Sequence, residues 1–525
     1  MKVILSGFNI DVETIKELKA FIQRVAEQLD EPFFNSLDPK NKKYTLQVLQ
    51  QEAVLLWKRD NLTPETLSAA YARISRNPKP VNELREIARQ EVDLARKSNQ
   101  NIIFGLGHSS VAEHAVFNFD ILGVSRYAVE TVEHFRLASY TEKSQRYILF
   151  EDDFVVPEEI RGTPLEQEYI ALIREQNKSY YQLYDLLRPY FLEKFRDLAA
   201  EQKNQRMLDG LAKEDARYVI SLATQTQLGM TVNARTLENM IIKSLSHSLA
   251  EVREYGQRLY NEVREFTPSI IKYTKPTAYL KEKDSDLKSY LGVLSTKSKP
   301  ERKTKEEVNL IDFPVEADEK ILASILFRLG DLGYKKSLAK IRKLDPEQKV
   351  QFYKKVFVNI NSWDSVLREF EFVQLTFELV ISGSAFGQLK RHRMTNIISQ
   401  EYHPGLGHTI PESIKETGQE NILKKIAEKS DFLYQKINKI SSPAAVYILT
   451  NSHRRRVLFK INLRELYHFT RLREDAHAQW DIRQIASKMA AEVRKKMPLA
   501  CMLLGGKDLF QEKYQNIFSN QSTKN

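Results

Sequence analysis

The feature that most constrains this fold is an internal repeat on either side of a charged stretch. Residues 274–312 are rich in charge, lysine and serine and lack a periodic apolar pattern, which is typical of a linker. Strand-like alternation followed by helical periodicity occurs on both sides, at AVFNFDILGVS (115–125) and at FEFVQLTFELVI (370–381). We therefore expect an N-terminal domain at 1–273 and a C-terminal domain at 313–525. A tandem duplication is the simplest interpretation, and two unrelated α+β domains are the alternative.

The chain length agrees with two domains, since 525 residues exceed one ordinary hydrophobic core. Long helices are predicted at about 164–204 and 233–266 in the first half, and at about 415–440 and 461–497 in the second. Both halves also carry Asn-x-Arg in front of an apolar-rich helix. The sequence thus predicts an α+β fold in which each domain has a β-sheet packed with long helices.

Composition narrows the class of protein but leaves its function open. A single cysteine, Cys501, excludes a disulfide framework and a multi-cysteine metal site. No apolar run reaches the length that spans a bilayer, and the N-terminal MKVILSGFNIDVETI turns acidic too early for a signal peptide. We expect a cytoplasmic protein. The net charge of +11 favours polyanionic or phosphorylated ligands, which include nucleotides, nucleic acids and acidic proteins.

A cluster of cations ends the strongly apolar segment of the second half. The string QLKRHR at 388–393 places Arg391 and Arg393 beside residues with core character, and burying either guanidinium would require an anion. Lys390 is interpreted as a solvated neighbour. The run SHRRRV at 452–457 is typical of a solvated turn, with a nucleic-acid surface as the alternative. An anion site and a solvated basic tip both remain open for QLKRHR.

Four side chains are predicted to share one side of the helix at 461–497. Asn462, Arg473 and His477 are separated by 11 and 4 residues, close to whole helical turns, and Trp480 joins them. A guanidinium beside an imidazole and an aromatic ring suits a phosphate or a planar heterocycle. A half-exposed face with an internal salt bridge is the alternative.

Two polar strings mark the first half. SYTEKSQRY at 139–147 ends in Ser-x-Arg-Tyr, whose hydroxyl and guanidinium could bind one phosphate; a polar loop is the alternative. GHSSVAEH at 107–114 brings His108, Glu113 and His114 together. Because this spacing matches no usual metal pattern, we expect a buried, hydrogen-bonded polar cluster and no metal site.

Taken together, these strings resemble the flavin-dependent thymidylate synthases. That family carries Arg-His-Arg followed after seven residues by Ser-x-Arg-Tyr, an upstream Gly-His-x-x-x-x-Glu-His, and an Asn-x-Arg helix ending in a His-Ala-Gln-Trp-Glu-like string. This chain has GHSSVAEH, SQRY, EDARYVISLATQTQLGMTVNAR and NLRELYHFTRLREDAHAQWDIR, which cover most of both halves. The resemblance implies two tandem domains of that family and reductive methylation of dUMP to dTMP. It also implies FAD as cofactor, with NADPH and methylenetetrahydrofolate as co-substrates.

The two halves depart from the family pattern in complementary ways. The Arg-His-Arg slot reads HFR in the first half (134–136), and the Ser-x-Arg-Tyr slot reads EYHP in the second (401–404). The slot of Arg217 holds Val446 in the second half. The first half has therefore lost the Arg-His-Arg string that the second keeps, and the second half has lost the Ser-x-Arg-Tyr string that the first keeps.

The resemblance implies site residues from both halves, with Arg473 and His392 as catalytic residues. In the first half the slot of Arg473 holds Lys243, and the second half has WDSVLREF where GHSSVAEH stands, so His108, Ser110 and Glu113 occur only once. The expected substrate-binding residues are Glu142, Ser144, Gln145, Arg146, Arg217, Gln388, Arg391 and Arg473. The expected cofactor-binding residues are His108, Ser110, Glu113, Arg391, His392, Arg393, Asn462, Arg464, His468 and His477.

The Ser-x-Arg element of a first half and the Arg-His-Arg element of a second half would together complete a nucleotide site. The reverse combination, built from the two altered elements, would make a nonfunctional site. A homodimer would then mimic a tetramer of single domains, with two live and two vestigial sites. The expected partners are dUMP, a folate and NADPH, with no membrane and no nucleic acid. The alternatives are a flavoprotein of the same fold acting on another pyrimidine nucleotide, and a degenerate nucleotide- or RNA-binding paralogue without catalysis.

Overall fold

Helices alternate with two small groups of strands along the chain. The computed structural model describes residues 1–58, 62–146, 149, 152–294 and 306–518. Tyr147 of the Ser-x-Arg-Tyr string and residues 295–305 of the predicted linker lie outside the described residues. No helix in the described part of the chain is long and apolar enough to cross a membrane.

The elements are numbered in chain order. The first half contains β1 Lys2–Phe8, α1 Val12–Gln28, α2 Glu31–Ser36, α3 Pro39–Lys58, α4 Glu65–Arg73, α5 Val81–Gln90, α6 Val92–Gln100, β2 Val116–Ser125, α7 Arg126–Val132, β3 Ala138–Glu142, α8 Leu165–Lys194, α9 Arg196–Ala199, α10 Gln202–Ala216, β4 Gln225–Asn233, α11 Ala234–Leu245, α12 Ala250–Val263 and α13 Ala278–Leu294. The second half contains β5 Val308–Asp312, α14 Ala317–Leu329, α15 Tyr334–Arg342, α16 Pro346–Phe357, β6 Gln374–Ser382, α17 Gly383–Leu389, β7 Asn396–Ser399, α18 Glu412–Glu416, α19 Glu420–Asn438, α20 Ser442–Ala445, β8 Arg454–Asn462, α21 Leu463–Arg473, α22 Trp480–Lys496 and α23 Phe510–Phe518.

The chain forms two compact units whose division differs from that of the two sequence halves. Unit 1 contains Met1–Lys143 and Gln225–Thr296, and unit 2 contains Ser144–Thr224 and Lys297–Asn525. A segment of the first half therefore folds together with the second half in unit 2. The predicted domain boundaries around 274–312 concern the repeats in the sequence, and they stay a prediction.

Each unit contains one four-stranded antiparallel sheet, and the two sheets share one strand order. The orders are β1-β2-β4-β3 in unit 1 and β5-β6-β8-β7 in unit 2. Each strand thus has the same neighbours as its counterpart in the other sheet, which is what a duplication predicts. The predicted α+β fold, with two sheets packed with helices, is confirmed.

The register of the strands defines which residues of the two repeats correspond. Val116 lies opposite Asn233, and Gln374 lies opposite Asn462. Both asparagines cap the next helix, because each side chain accepts a hydrogen bond from the backbone N–H three residues later. The Asn-x-Arg similarity is therefore one capped strand-to-helix junction that occurs twice. Residues at equal distance from these two junctions are called equivalent below.

Within unit 2, equivalent segments of the two repeats pair with each other. Ser221 and Thr450 are equivalent, and they face each other in an antiparallel bridge. The flanking backbone bonds form two symmetric pairs, so the contact has local two-fold symmetry. These bonds are Leu222 N–H to Leu449 O at 2.8 Å, Asn451 N–H to Ile220 O at 2.9 Å, Ala223 N–H to Tyr447 O at 3.1 Å and Ser452 N–H to Tyr218 O at 3.0 Å.

Three of the predicted long helices are each interrupted. The prediction at 164–204 corresponds to α8, α9 and the start of α10. The prediction at 233–266 corresponds to α11 and α12, and the prediction at 461–497 corresponds to α21 and α22. Before α22 the side chain of Gln479 accepts the N–H of Ile482 and starts a new helix. Arg473 and Trp480 consequently belong to different helices, and the predicted single side shared by four residues is wrong.

The packing of α11 against α12 depends on Gly256. A Cβ at this position would lie 2.7 Å from the Cβ of Ser244 and 3.0 Å from the backbone nitrogen of Leu245. Both distances are shorter than van der Waals contact, so any side chain would force the two helices apart.

We expect Gly256→Ala to lower the free energy of unfolding by about 1–3 kcal/mol because of this overpacking. Gly292→Ala is a matched control, since Gly292 also lies in a helix and a Cβ there would meet no atom within 4 Å. The control should be neutral or raise stability by up to ~1 kcal/mol, because alanine favours helix. Chemical denaturation of both variants measures the difference, and equal effects would contradict the close contact.

Candidate functional site

Arg473, the last residue of α21, lies among other cations in unit 2. Burial, together with the charges of Arg391 and Arg146, lowers the pKa of Arg473 to about 10. Arg146 comes from the first half of the sequence and Arg391 from the second, so residues of both repeats act on one guanidinium. Like charges gathered in this way are stabilised when an anion binds among them.

The guanidinium of Arg473 is held in place by two neutral side chains. Its Nε donates to Nε2 of His392 at 3.0 Å, and its Nη1 donates to Oε1 of Gln388 at 3.1 Å. His392 is buried beside Phe469, with ring centroids 4.7 Å apart, and its Nδ1 lies 3.5 Å from a carboxylate oxygen of Glu465. Burial lowers the pKa of His392 and favours the neutral imidazole, which can accept the hydrogen bond from Arg473.

Arg217 is the fourth arginine that the sequence predicted for the substrate, and it is buried in unit 2. Its Nη2 donates to Oγ of Ser384 at 2.8 Å. Asn451 connects it to the neighbourhood of Arg146, because the Asn451 amide donates to the carbonyl of Arg217 at 3.0 Å and to Oε1 of Gln145 at 3.4 Å. We call Arg146, Arg217, Arg391 and Arg473 the arginine cluster.

A buried carboxylate accompanies the cluster. Arg146 forms an ion pair with Glu214, which is 2% exposed. The hydroxyl of Ser144 accepts the N–H of Arg146 at 3.2 Å and shapes the turn that carries this arginine. The guanidinium groups of this cluster are suited to binding a doubly charged phosphate.

Buried polar groups also connect the cluster to α22. Burial, with the charge of Glu214, raises the pKa of Asp215 to about 7. Asp215 accepts hydrogen bonds from Nε1 of Trp480 at 2.7 Å and from Oγ of Ser413 at 2.5 Å. Next to it, Tyr218 donates to Asp481 at 2.9 Å. These bonds fix the start of α22 against the segment that carries Arg217.

Unit 1 contains a polar pocket of about 440 Å³. Its lining includes His108, Ser110 and Glu113, the three residues of GHSSVAEH that the sequence predicted for a cofactor, together with Ser75 and Arg76. This volume lies within the range of small-molecule sites. We call it the unit 1 pocket.

The interpretation of GHSSVAEH as a buried polar cluster is wrong. His108, Ser110 and His114 are exposed, because the string forms a short 3-10 helix along the open unit 1 pocket. Glu113 forms an ion pair of 2.6 Å with Arg235 of the Asn-x-Arg string, and the ring of His114 lies 4.7 Å from that of Tyr71.

The other predicted site residues are placed as follows. Glu142 lies in unit 1, where it is buried and paired with Arg126. In unit 2, Asn462 caps α21 and Arg464 pairs with Glu371 at 2.7 Å. Exposed positions are held by Arg391, Arg393, His468 and His477, and Nδ1 of His477 lies 2.8 Å from Asp475.

Strand register corrects two of the expected correspondences. Glu113 and Glu371 each lie three residues before the strand residue opposite the capping asparagine, so Glu113 has an equivalent in the second half. Each glutamate pairs with the arginine of its own Asn-x-Arg string. Counted from the two caps, Arg473 is equivalent to Ser244 rather than to Lys243.

Two expectations about solvated cations are also wrong. Lys390 is buried, because it lies at the end of α17 where the chain turns inward. The three arginines of SHRRRV belong to β8, and only the start of the run lies in the turn before this strand. Arg455 is buried between the rings of Phe386 and Tyr402, each centroid 4.4 Å away, and Arg456 pairs with Glu378 at 2.5 Å.

Sequence reasoning missed several residues that contact predicted ones. Glu214 carried a signal, since it belongs to the EDAR string beside Arg217, but a single acid does not reveal its partner. Ser384 and Asn451 gave none, because their contacts join positions far apart in sequence. The other missed residues are Ser75 and Arg76.

Comparison with known proteins identifies the family. The sequence model described as "Thymidylate synthase complementing protein" matches residues 59–269 and again residues 315–499. The chain belongs to this family. Since the two matches cover most of the chain, it is a duplicated member, and the predicted tandem duplication is confirmed.

Some relatives match less than half of this chain, and others match most of it. A flavin-dependent thymidylate synthase of Clostridium tetani is 30% identical over 220 residues, which cover 41% of this chain and 83% of that protein. A UPF0159 protein of Thermoplasma acidophilum is 24% identical over 478 residues, 82% of this chain and 93% of that protein. A UPF0159 protein of Chlamydia muridarum is 25% identical and covers 75% of this chain and 78% of its own length.

Among solved structures, a UMP/dUMP methylase, PolB, from Streptomyces cacaoi bound with 5-Br dUMP matches 38% of this chain and 95% of its own. The TM-score is 0.30 and the sequence identity is 18%.

We expect Asp215→Asn to flatten the pH dependence of stability. The wild-type carboxyl has a pKa near 4 in the unfolded chain and about 7 in the folded protein. As the pH rises between these two values, the free energy of unfolding therefore falls by about 1.4 kcal/mol per pH unit. Asparagine can still accept from Trp480 and meet Ser413, and it does not ionise. Urea denaturation at pH 5 and pH 7 measures the effect.

Asp197→Asn, an exposed change in α9, is the control and should retain the wild-type pH dependence. If Asp215→Asn lost as much stability from pH 5 to pH 7 as the wild type does, the raised pKa of Asp215 would be refuted.

Proposed function

We propose that this protein methylates dUMP reductively to dTMP, with FAD as cofactor, methylenetetrahydrofolate as carbon donor and NADPH as reductant. The observation that carries the proposal is that Arg146 from the first repeat and Arg391 from the second both act on the guanidinium of Arg473 within one unit. Family membership and the name of the Clostridium tetani relative support the same reaction class.

The phosphate of the nucleotide binds to the side contributed by the first repeat. Arg146 and Arg217 supply charge-assisted hydrogen bonds, and Ser144 and Gln145 supply further polar contacts. When phosphate binds, it takes over part of the interaction that Arg146 makes with Glu214. Glu142 remains a proposed contact on the same chain segment.

The uracil ring faces the side contributed by the second repeat. Arg473 stabilises negative charge that develops on the ring carbonyl during methylation, and Gln388 and Arg391 orient the base. His392 acts on Arg473, since it is buried and accepts the hydrogen bond from Nε of that arginine. A fixed guanidinium loses little conformational freedom when the substrate binds.

The unit 1 pocket fits part of a dinucleotide cofactor. Arg76 offers a cation for a pyrophosphate, and His108, Ser75 and Ser110 offer hydrogen-bonding groups. Bound FAD would supply hydride transfer, chemistry that protein side chains lack. The other cofactor contacts are proposed from the family resemblance alone, and they are Arg391, His392, Arg393, Asn462, Arg464, His468 and His477.

The assembly we propose is a homodimer that mimics a tetramer of single-repeat subunits. The combination of first-repeat phosphate residues with second-repeat arginines is the live site. The reverse combination lacks its phosphate arginine, because Val446 is equivalent to Arg217. Its Ser-x-Arg slot also holds Glu401 and His403.

We expect Arg146→Ala and Arg391→Ala each to raise the dissociation constant of dUMP by roughly 10- to 100-fold, because each removes a charged hydrogen-bond donor. Both should lower the rate of dTMP formation. Calorimetric titration with dUMP and product analysis with dUMP, UMP and dCMP measure these effects. Arg188→Ala, which removes an exposed ion pair with Asp209, is the control and should bind dUMP normally.

Mixing the two variants tests whether the site lies within one chain. Arg146 and Arg391 belong to unit 2 of the same chain, so co-refolded mixtures should remain inactive. Full activity of both single variants would refute the proposed site, and recovery on mixing would show that sites cross between chains.

We expect the double variant His108→Ala/Ser110→Ala to retain less FAD after gel filtration, since it removes two polar groups from the unit 1 pocket. Visible absorbance of the purified protein measures the retained flavin. Ser109→Ala, a neighbouring change outside the pocket lining, is the control. A wild-type protein that stays colourless after incubation with FAD would refute the flavin-dependent reaction.

A further inference from the structure

The loop at 450–453 belongs to the second repeat but contacts phosphate residues of the first. Asn451 is only 1% exposed, and its amide nitrogen donates to the carbonyl of Arg217 and to Oε1 of Gln145. The equivalent residue in the first repeat is Leu222, which has no side-chain donor. This contact is therefore specific to one of the two repeats.

The hydrogen bond from Asn451 determines which way the Gln145 amide faces. Because Oε1 of Gln145 accepts from Asn451, its Nε2 points away from that bond. This Nε2 is buried and has no hydrogen-bond partner among the described residues. A buried donor of this kind is satisfied by an acceptor such as a phosphate oxygen.

Asn451 also takes part in a closed ring of hydrogen bonds around Arg217. The Asn451 side chain holds the carbonyl of Arg217, and the Arg217 guanidinium donates to Oγ of Ser384 at 2.8 Å. The N–H of Ser384 in turn donates to the carbonyl of Asn451 at 3.2 Å. The backbone carbonyl and the guanidinium of Arg217 are thus both held by residues of the second repeat.

The loop at 450–453 is held by hydrogen bonds that His453 forms with Thr450 and with Asp431. Nδ1 of His453 accepts the N–H of Thr450 at 2.8 Å, so the ring proton is on Nε2, which lies 2.8 Å from Asp431. His408 lies 3.6 Å from the other oxygen of Asp431. Although burial acts in the opposite direction, these histidines lower the pKa of Asp431 to about 2. With its proton on Nε2, His453 serves as a hydrogen-bonded brace rather than as a metal ligand.

We infer that Asn451 is a positioning residue for the nucleotide phosphate, acting through Gln145 and Arg217. The second repeat has lost its own phosphate arginine at Val446, and its equivalent loop now supports the arginine of the first repeat. This inference rests on the proposed function. It predicts that Asn451 affects recognition of the phosphate and leaves recognition of the base unchanged.

The test is Asn451→Leu, which installs the residue of the first repeat, in the full-length protein loaded with FAD. Calorimetric titrations with dUMP and with deoxyuridine, which lacks the phosphate, give the contribution of the phosphate to binding. We expect dUMP affinity to fall about tenfold while deoxyuridine affinity is unchanged. In turnover, the KM for dUMP should rise with kcat nearly unchanged.

Ser384→Ala removes the other support of Arg217 by deleting one oxygen, and it should lower the preference for dUMP in the same direction. It provides the test if Asn451→Leu fails to fold. Asn177→Leu is the matched control, since it removes a buried amide that donates to Asp152 elsewhere in unit 2. This control should retain the wild-type preference for dUMP.

The outcomes separate this inference from the proposed function. A wild-type protein without preference for dUMP over deoxyuridine overturns the proposed function, and with it the role of Asn451. A wild-type preference that both Asn451→Leu and Ser384→Ala retain overturns the inference alone. If these variants lost affinity for dUMP and for deoxyuridine equally, Asn451 and Ser384 would have a general structural role, and the inference would also be overturned.

Discussion

The antiparallel pairing of residues 218–223 with residues 447–452 is the contact on which the arrangement of unit 2 depends. Its four backbone hydrogen bonds join equivalent segments of the two repeats with local two-fold symmetry. Arg217 precedes one of these segments, and Asn451 lies in the other. The pairing therefore brings Arg217, a proposed phosphate residue of the first repeat, into contact with the segment of the second repeat that precedes β8.

The backbone contact between the two repeats is symmetric, but equivalent side chains beside it differ. A two-fold contact between identical repeats would create two equal sites, whereas here the equivalents of Arg217 and Asn451 are Val446 and Leu222. Once two copies are linked in one chain, each can lose residues that the other supplies. In the function we propose, the second repeat provides Arg391, Arg473 and a supporting loop, while the first provides the residues for the phosphate.

Much of the fold could be predicted because its signals are local. The alternation in β2 and β6 and the repeated Asn-x-Arg caps are readable from neighbouring residues, and the duplication follows from them. The break before α22 was missed because the new helix is capped by Gln479, and glutamine is not among the residues preferred at a helix N-cap. Lys390 and the arginines of β8 were misassigned, since burial of a charge depends on partners distant in sequence.

The sequence by itself determined the family, the duplication and the identity of the arginines, because these depend on residue types at fixed spacing. Only the tertiary structure decided that Arg146 and Arg391 both act on Arg473. It also decided that Glu214 pairs with Arg146, and that Ser384 and Asn451 hold Arg217. The physical reason is that hydrogen bonds and charge interactions act over a few ångströms, and the pairing of the two repeats sets those distances between residues far apart in the chain.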